Sequence, residues 1–135
     1  MSNVETVQEM YAAFGRGDVP AILAKLDENV QWEINGSSSD VPWLQHRQGR
    51  DGALAFFQSL GALEFHKFEV TAVVPIGDDR VLSLCNIETT ITANGRRNSE
   101  EDEVHIWWFN ADGQVTGFRH RVDTHHQWKE FHATA

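Results

Sequence analysis

The sequence predicts an α+β fold, a curved and mostly antiparallel sheet wrapped as a cone around three helices. Two observations carry this. Helical periodicity is confined, one strand apart, to the first 63 residues, and everything from Phe65 to Asp123 reads as strands joined by tight turns. Helices first and a meander afterwards is an α+β order, not the alternation that builds a parallel sheet. A sheet bent around helices leaves the layer between them open at one end, and such mouths are common ligand pockets.

The elements follow in order. Val4, Val7, Met10, Tyr11 and Phe14 recur at helical spacing behind a Ser2 or Asn3 cap, which predicts an amphipathic helix ending near Gly15–Gly17. Asp18 caps a second short helix with Pro20 in its first turn and Ala21, Ile22, Leu23 and Leu26 as its apolar set. Val30, Trp32 and Ile34 alternate with polar neighbours as a strand does, and residues 36–40 are a loop. Asp51 is the expected cap of a third helix that buries Leu54, Phe56, Phe57, Leu60 and Leu63. Four strands follow: Phe65–Ile76, Arg80–Thr92, Glu101–Phe109 and Val115–Asp123. Asn94-Gly95 and Asp112-Gly113 are strong hairpin signals between them. Thr124–Phe131 is a last helical turn or an ordered extension.

Composition narrows the function. A chain of 135 residues with 41% apolar residues suits one domain able to fold without metal or disulfide staples. Its net charge of −9 and lack of a basic cluster argue against nucleic acid and anionic membrane surfaces as partners. No apolar run is long enough to span a bilayer and no leader pattern opens the chain, so a soluble, cytoplasmic protein is expected. Cys85, the sole cysteine, sits among apolar residues and reads as a core thiol. There is no glycine-rich phosphate loop after a strand, no H-E-x-x-H, no cysteine pair and no G-x-S-x-G frame, so neither a cofactor nor a metal is expected.

Tyr11-Ala-Ala-Phe14 with Gly17-Asp18, then Leu26-Asp-Glu-Asn-Val30-Gln-Trp32, resembles the opening of the nuclear transport factor 2-like superfamily. Val41-Pro42-Trp43, Arg50-Asp51-Gly52 with Phe56-Phe57, and Asp112-Gly113 through Arg119 to Asp123-Thr124 continue the likeness. It spans about residues 4–126 and is nearest to the SnoaL-like and ketosteroid-isomerase-like proteins. The resemblance implies a cystatin-like α+β barrel around a deep apolar pocket, and a homodimer through the outer sheet face. It places the isomerases' general-base aspartate at Ile34 and their oxyanion-hole tyrosine at Met10. Neither side chain can take a proton from carbon or donate to an enolate, so true ketosteroid isomerase chemistry is not expected. The same resemblance puts His105 where isomerases hold an oxyanion-stabilising acid, and His120 where SnoaL-like cyclases carry an acid/base aspartate.

Strand alternation sets His105, Trp107 and Phe109 on one face with Phe118, His120 and Val122, and puts Val104, Ile106, Trp108, Arg119, Arg121 and Asp123 on the other. Two imidazoles walled by aromatic rings make His120 and His105 the candidate catalytic pair, with Met10, Phe14, Trp32, Ile34, Trp43, His46, Phe57, Trp107, Phe118 and Val122 as candidate ligand contacts. A histidine on an apolar face is also often a plain core residue. The Glu100–Glu103 run reads as a solvated strand edge. With no carboxylate assigned to the inner face, both imidazoles should titrate below the ordinary value of about 6.5. Two functions stay open: an isomerase, cyclase or dehydratase acting on a small apolar ring compound, or a non-catalytic protein that binds one.

Overall fold

The computed structural model describes residues 1–34 and 40–134, so the loop expected at 36–39 lies outside the described residues. Ser2 caps helix α1 (Asn3–Gly15): its hydroxyl accepts from the Glu5 N–H while the Glu5 carboxylate reaches back to the Ser2 N–H. Asp18 caps α2 (Val19–Leu23) by accepting from the Ala21 N–H. Strand β1 (Leu26–Ile34) buries Leu26, Val30, Trp32 and Ile34. A two-residue strand, β2 (Arg47–Gln48), leads straight into α3 (Gly49–Ser59).

Here the expected cap is wrong. The α3 cap position is Gln48, without a side-chain hydrogen bond, and Asp51 lies exposed inside the first turn. Gly49, at φ +74°, turns the chain from strand to helix two residues before Asp51 is reached.

The meander is β3 (Leu63–Ile76), β4 (Arg80–Ile91), β5 (Arg97–Phe109) and β6 (Val115–Arg121), and α4 (Thr124–His132) closes the chain as a full helix capped by Asp123. The sheet order is β2-β1-β6-β5-β4-β3. All pairs are antiparallel except β1–β6, which is parallel and brings the first long strand beside the last. The sheet is curved and unclosed, with β2 and β3 as its edges, and it wraps α1, α2 and α3. Asn94, in the β4–β5 turn, aims its amide at the Glu130, Phe131 and Ala133 carbonyls and docks the end of α4. No helix among the described residues is long and apolar enough to cross a membrane.

One irregularity matters for the site. Between β4 and β5 the register slips: Cys85 faces Glu103 but Ile87 faces Glu100, so Glu101 and Asp102 bulge opposite Asn86. Asp102 sits at φ 56°, with its N–H donated to the Asn86 side chain. Beyond the bulge the inward and outward positions of β5 exchange. Glu103, His105, Trp107 and Phe109 are buried on one side of it and Asn98 on the other.

Candidate active site

The antiparallel register sets His105 directly across from His120 and Trp107 across from Phe118, and the parallel register sets Trp32 beside Phe118. All five are buried and face the helices. Their rings stack into a wall: Phe118 lies 4.2 Å from Trp32 and 4.3 Å from Trp107, centroid to centroid. The imidazoles of His105 and His120 are 5.4 Å apart.

From α1, Tyr11 reaches across the cavity and brings its hydroxyl within 2.6 Å of His105 Nδ1. The other ring nitrogen, Nε2, is hydrogen-bonded to the buried Glu103 carboxylate. Cys85 Sγ lies 3.7 Å from His105 Nδ1 and 3.9 Å from the Tyr11 hydroxyl. The result is a chain of buried polar groups, Glu103–His105–Tyr11, within an aromatic wall. His120 differs: its Nε2 is buried among Phe56, Phe118 and His105 and makes no hydrogen bond with any described residue.

The electrostatics separate the two histidines. Burial alone disfavours either imidazolium, and at His120 nothing offsets it; His105 and Arg121 add positive neighbours, so its pKa falls well below 6.5. Burial opposes the charge at His105 too. There, however, the Tyr11 oxygen, the Cys85 sulphur and the Glu103 carboxylate hold the proton on and carry the pKa well above 6.5. Tyr11 itself is pushed up, by burial first, and stays a phenol. The expectation that both imidazoles are depressed is therefore corrected at His105, where Tyr11, Cys85 and Glu103 together outweigh burial.

These opposite shifts favour an imidazolium at His105 and a neutral imidazole at His120. With both its nitrogens protonated, His105 donates to Glu103 through Nε2 and to the Tyr11 oxygen through Nδ1, which leaves the Tyr11 O–H free to donate elsewhere.

Of the residues singled out in the sequence, Met10, Phe14, Trp32, Trp43, Phe57, His105, Trp107, Phe118, His120 and Val122 line one cavity. Ile34 and His46 do not. Ile34 is the last residue of β1 and packs into the core cluster, while His46 is exposed and places Nε2 2.6 Å from the Ile34 carbonyl, tying its loop to the strand.

Sequence reasoning misses several polar groups here. Tyr11 reads there as part of an apolar helix face and of a family motif, and the phenol that the resemblance would seat at Met10 is supplied one residue later. Glu103 reads as part of a solvated acidic run, although it lies two residues from His105 and so on the same strand face. Glu100 and Asn98 are hidden by the bulge, which no periodicity reveals. Glu100, half-buried and raised by that burial, accepts from Gln127, which in turn accepts from the Trp43 indole.

Glu103, His105 and His120 also present donor atoms within 4.8 Å of one another, the ligand types of a divalent cation site. Two of these three donors are engaged with each other in the hydrogen bond of the dyad.

A family model described as a SnoaL-like domain matches residues 7–118. The chain belongs to the SnoaL-like family. Solved structures of similar fold include an NTF2-like protein of unknown function from Burkholderia pseudomallei (27% identity, TM-score 0.83), which covers 98% of this chain and 100% of its own. A provisionally named polyketide cyclase from Pseudomonas putida is 20% identical with a TM-score of 0.75, over 96% of this SnoaL-like chain and 98% of its own. TerC, co-crystallised with polyporic acid, is 21% identical with a TM-score of 0.79, over 97% and 98%. The last two likenesses establish fold alone. Among curated proteins no sequence match was found.

Proposed function

We propose that this SnoaL-like protein is an acid/base enzyme acting on a small, apolar ring compound, shifting a proton in the manner of an isomerase, cyclase or dehydratase. The single observation that carries the reading is the unlike setting of two facing histidines, His120 buried with an unpartnered Nε2 and His105 held between the Glu103 carboxylate and the Tyr11 hydroxyl. His120 Nε2 takes a proton from a carbon next to a carbonyl. The electron pair of the broken C–H bond moves onto the carbonyl oxygen, where the Tyr11 O–H, polarised by the His105 imidazolium, donates to the growing charge. Return of the proton to another carbon isomerises the substrate, and attack of the carbanion on a second carbonyl closes a ring. The aromatic wall keeps water away from the enolate and accepts a flat apolar body. Names of solved proteins with this fold, a provisional polyketide cyclase and a complex with polyporic acid, support the substrate class.

The test uses 2-tetralone, an apolar bicyclic ketone with acidic C–H bonds, in deuterated buffer at pH 7.5. The protein is expected to accelerate solvent deuterium uptake at the carbon next to the carbonyl at least tenfold over buffer, read by proton NMR. Binding of 2-tetralone with exchange no faster than in buffer would favour a non-catalytic binding protein.

We further propose that the protein works as a homodimer through the outer sheet face. Val104, Ile106 and Trp108 stand there half-exposed in a row, with the Arg119 guanidinium 4.6 Å over the Trp108 ring and paired to Glu33 at 2.8 Å. Light scattering at micromolar concentration should give about twice the chain mass of 15.3 kDa, and Trp108→Glu should return the monomer. A wild-type monomer mass would end this reading.

A further inference from the structure

The cavity holds an unpartnered side-chain amide that the acid/base chemistry does not use. Asn98 is 4% exposed and lines the cavity, yet neither its Oδ1 nor its Nδ2 has a hydrogen-bond partner among the described residues. A buried amide without partners is destabilising, and native proteins rarely tolerate one without a reason. The β5 bulge is what turns Asn98 inward, opposite Thr89, which lines the same cavity. It lies seven positions before His105, up to about 23 Å along β5 at about 3.3 Å per residue. Asn98 therefore belongs to the same cavity but to a different part of it.

We propose that Asn98 is a recognition residue, whose amide pairs with a side-by-side donor and acceptor on the ligand. Ligand groups complementary to an amide in this way are another amide, a carboxylic acid in its neutral form, or a hydroxyl beside a carbonyl. A ligand of this class is neutral and apolar in its body, with one such edge at the end away from the reacting carbon. The lining next to Asn98 favours neutrality, since Glu100 would repel an anion there. Asn98 would then fix which end of the molecule faces His120, which is how a mainly apolar wall can orient a nearly symmetrical ring compound. This inference rests on the reading of the cavity as a small-molecule site, but not on catalysis in it.

Three probes on one naphthalene body separate the contributions: 2-naphthamide, with donor and acceptor; methyl 2-naphthoate, with acceptor only; and 2-ethylnaphthalene, with neither. Binding is followed by quenching of the cavity tryptophans. The wild-type protein should bind 2-naphthamide at least tenfold more tightly than 2-ethylnaphthalene, with the ester between them. Asn98→Leu should erase that preference while binding 2-ethylnaphthalene at least as well. His120→Asn should keep it, so that loss of recognition and loss of proton transfer are read apart. Ligand-free Asn98→Leu should also melt a few degrees higher, because a buried amide without partners is replaced by an apolar side chain of similar size. A lower melting temperature in Asn98→Leu, a preference that survives the substitution, or a wild-type protein without the preference would each overturn the proposal.

Discussion

Replacing His120 with asparagine is expected to lower kcat for deuterium exchange by about 10²–10⁴-fold, the usual contribution of a positioned general base, while binding of 2-tetralone stays within about threefold. Asparagine fills much of the imidazole's space and keeps a polar tip, but it cannot take a proton at neutral pH. The split between kcat and affinity is what separates a base from a binding group, because removing an interaction made equally in the ground and transition states moves KM and leaves kcat alone. The pH profile gives a second reading. A neutral His120 whose pKa lies well below 6.5 should support full activity down to acidic pH, with the lower limb set by its own protonation. A lower limb near 6.5 would mean that His120 is solvated and not the base.

The second large effect is expected at Glu103. Glu103→Gln keeps a hydrogen-bond acceptor for His105 Nε2 but removes the negative charge that helps to hold the proton there, so the His105 pKa should fall and the imidazolium should be lost at neutral pH. The thermodynamic signs follow from linkage. His105, raised when folded, adds stability that is complete below about pH 6.5 and drains away as pH climbs through its higher folded value. His120, lowered when folded, adds stability that is complete above about pH 6.5 and drains away as pH falls toward its folded value. Melting temperature should therefore peak near pH 6.5 and decline on both sides, with the carboxylates contributing only near about pH 4. Glu103→Gln should flatten the alkaline side and cost about 2 kcal/mol at pH 6, the worth of a charged buried hydrogen bond. His120→Asn should flatten the acid side. Thermal melts from pH 5 to 9 on the three proteins check this, and an unchanged alkaline slope in Glu103→Gln would show that the dyad is not charged.

What the sequence could and could not disclose divides along one line. Wherever strand alternation runs unbroken, from His105 to Phe109 and from Phe118 to His120, inward residues are legible from period two alone, and the facing register of the histidines comes with the hairpin at Asp112-Gly113. Glu103 belongs to that unbroken stretch and is readable in principle; its acidic neighbours mask it. Asn98 and Glu100 are not readable, because the bulge at Glu101–Asp102 reverses inside and outside, and the φ of 56° at Asp102 is a tertiary outcome. Tyr11 illustrates a different limit. Helical spacing identifies a buried face but not which residue on it projects a hydroxyl toward a partner 94 positions away.

The parallel pairing of β1 with β6 has a consequence for how the molecule is assembled. Ile34 finds its neighbour His120 only after roughly 90 residues of intervening chain have been made and brought back, whereas each strand of the meander pairs with the one just before it. Closing so long a loop costs more entropy than forming the successive hairpins, so local pairing of β3 through β6 has the head start and β1 docks late. Until β6 emerges from the ribosome, Leu26, Val30 and Trp32 have no strand beside them except the two residues of β2. Synthesis therefore holds the aromatic wall open to the last, and a chain cut short before β6 would expose the apolar face of β1 and invite aggregation at that edge.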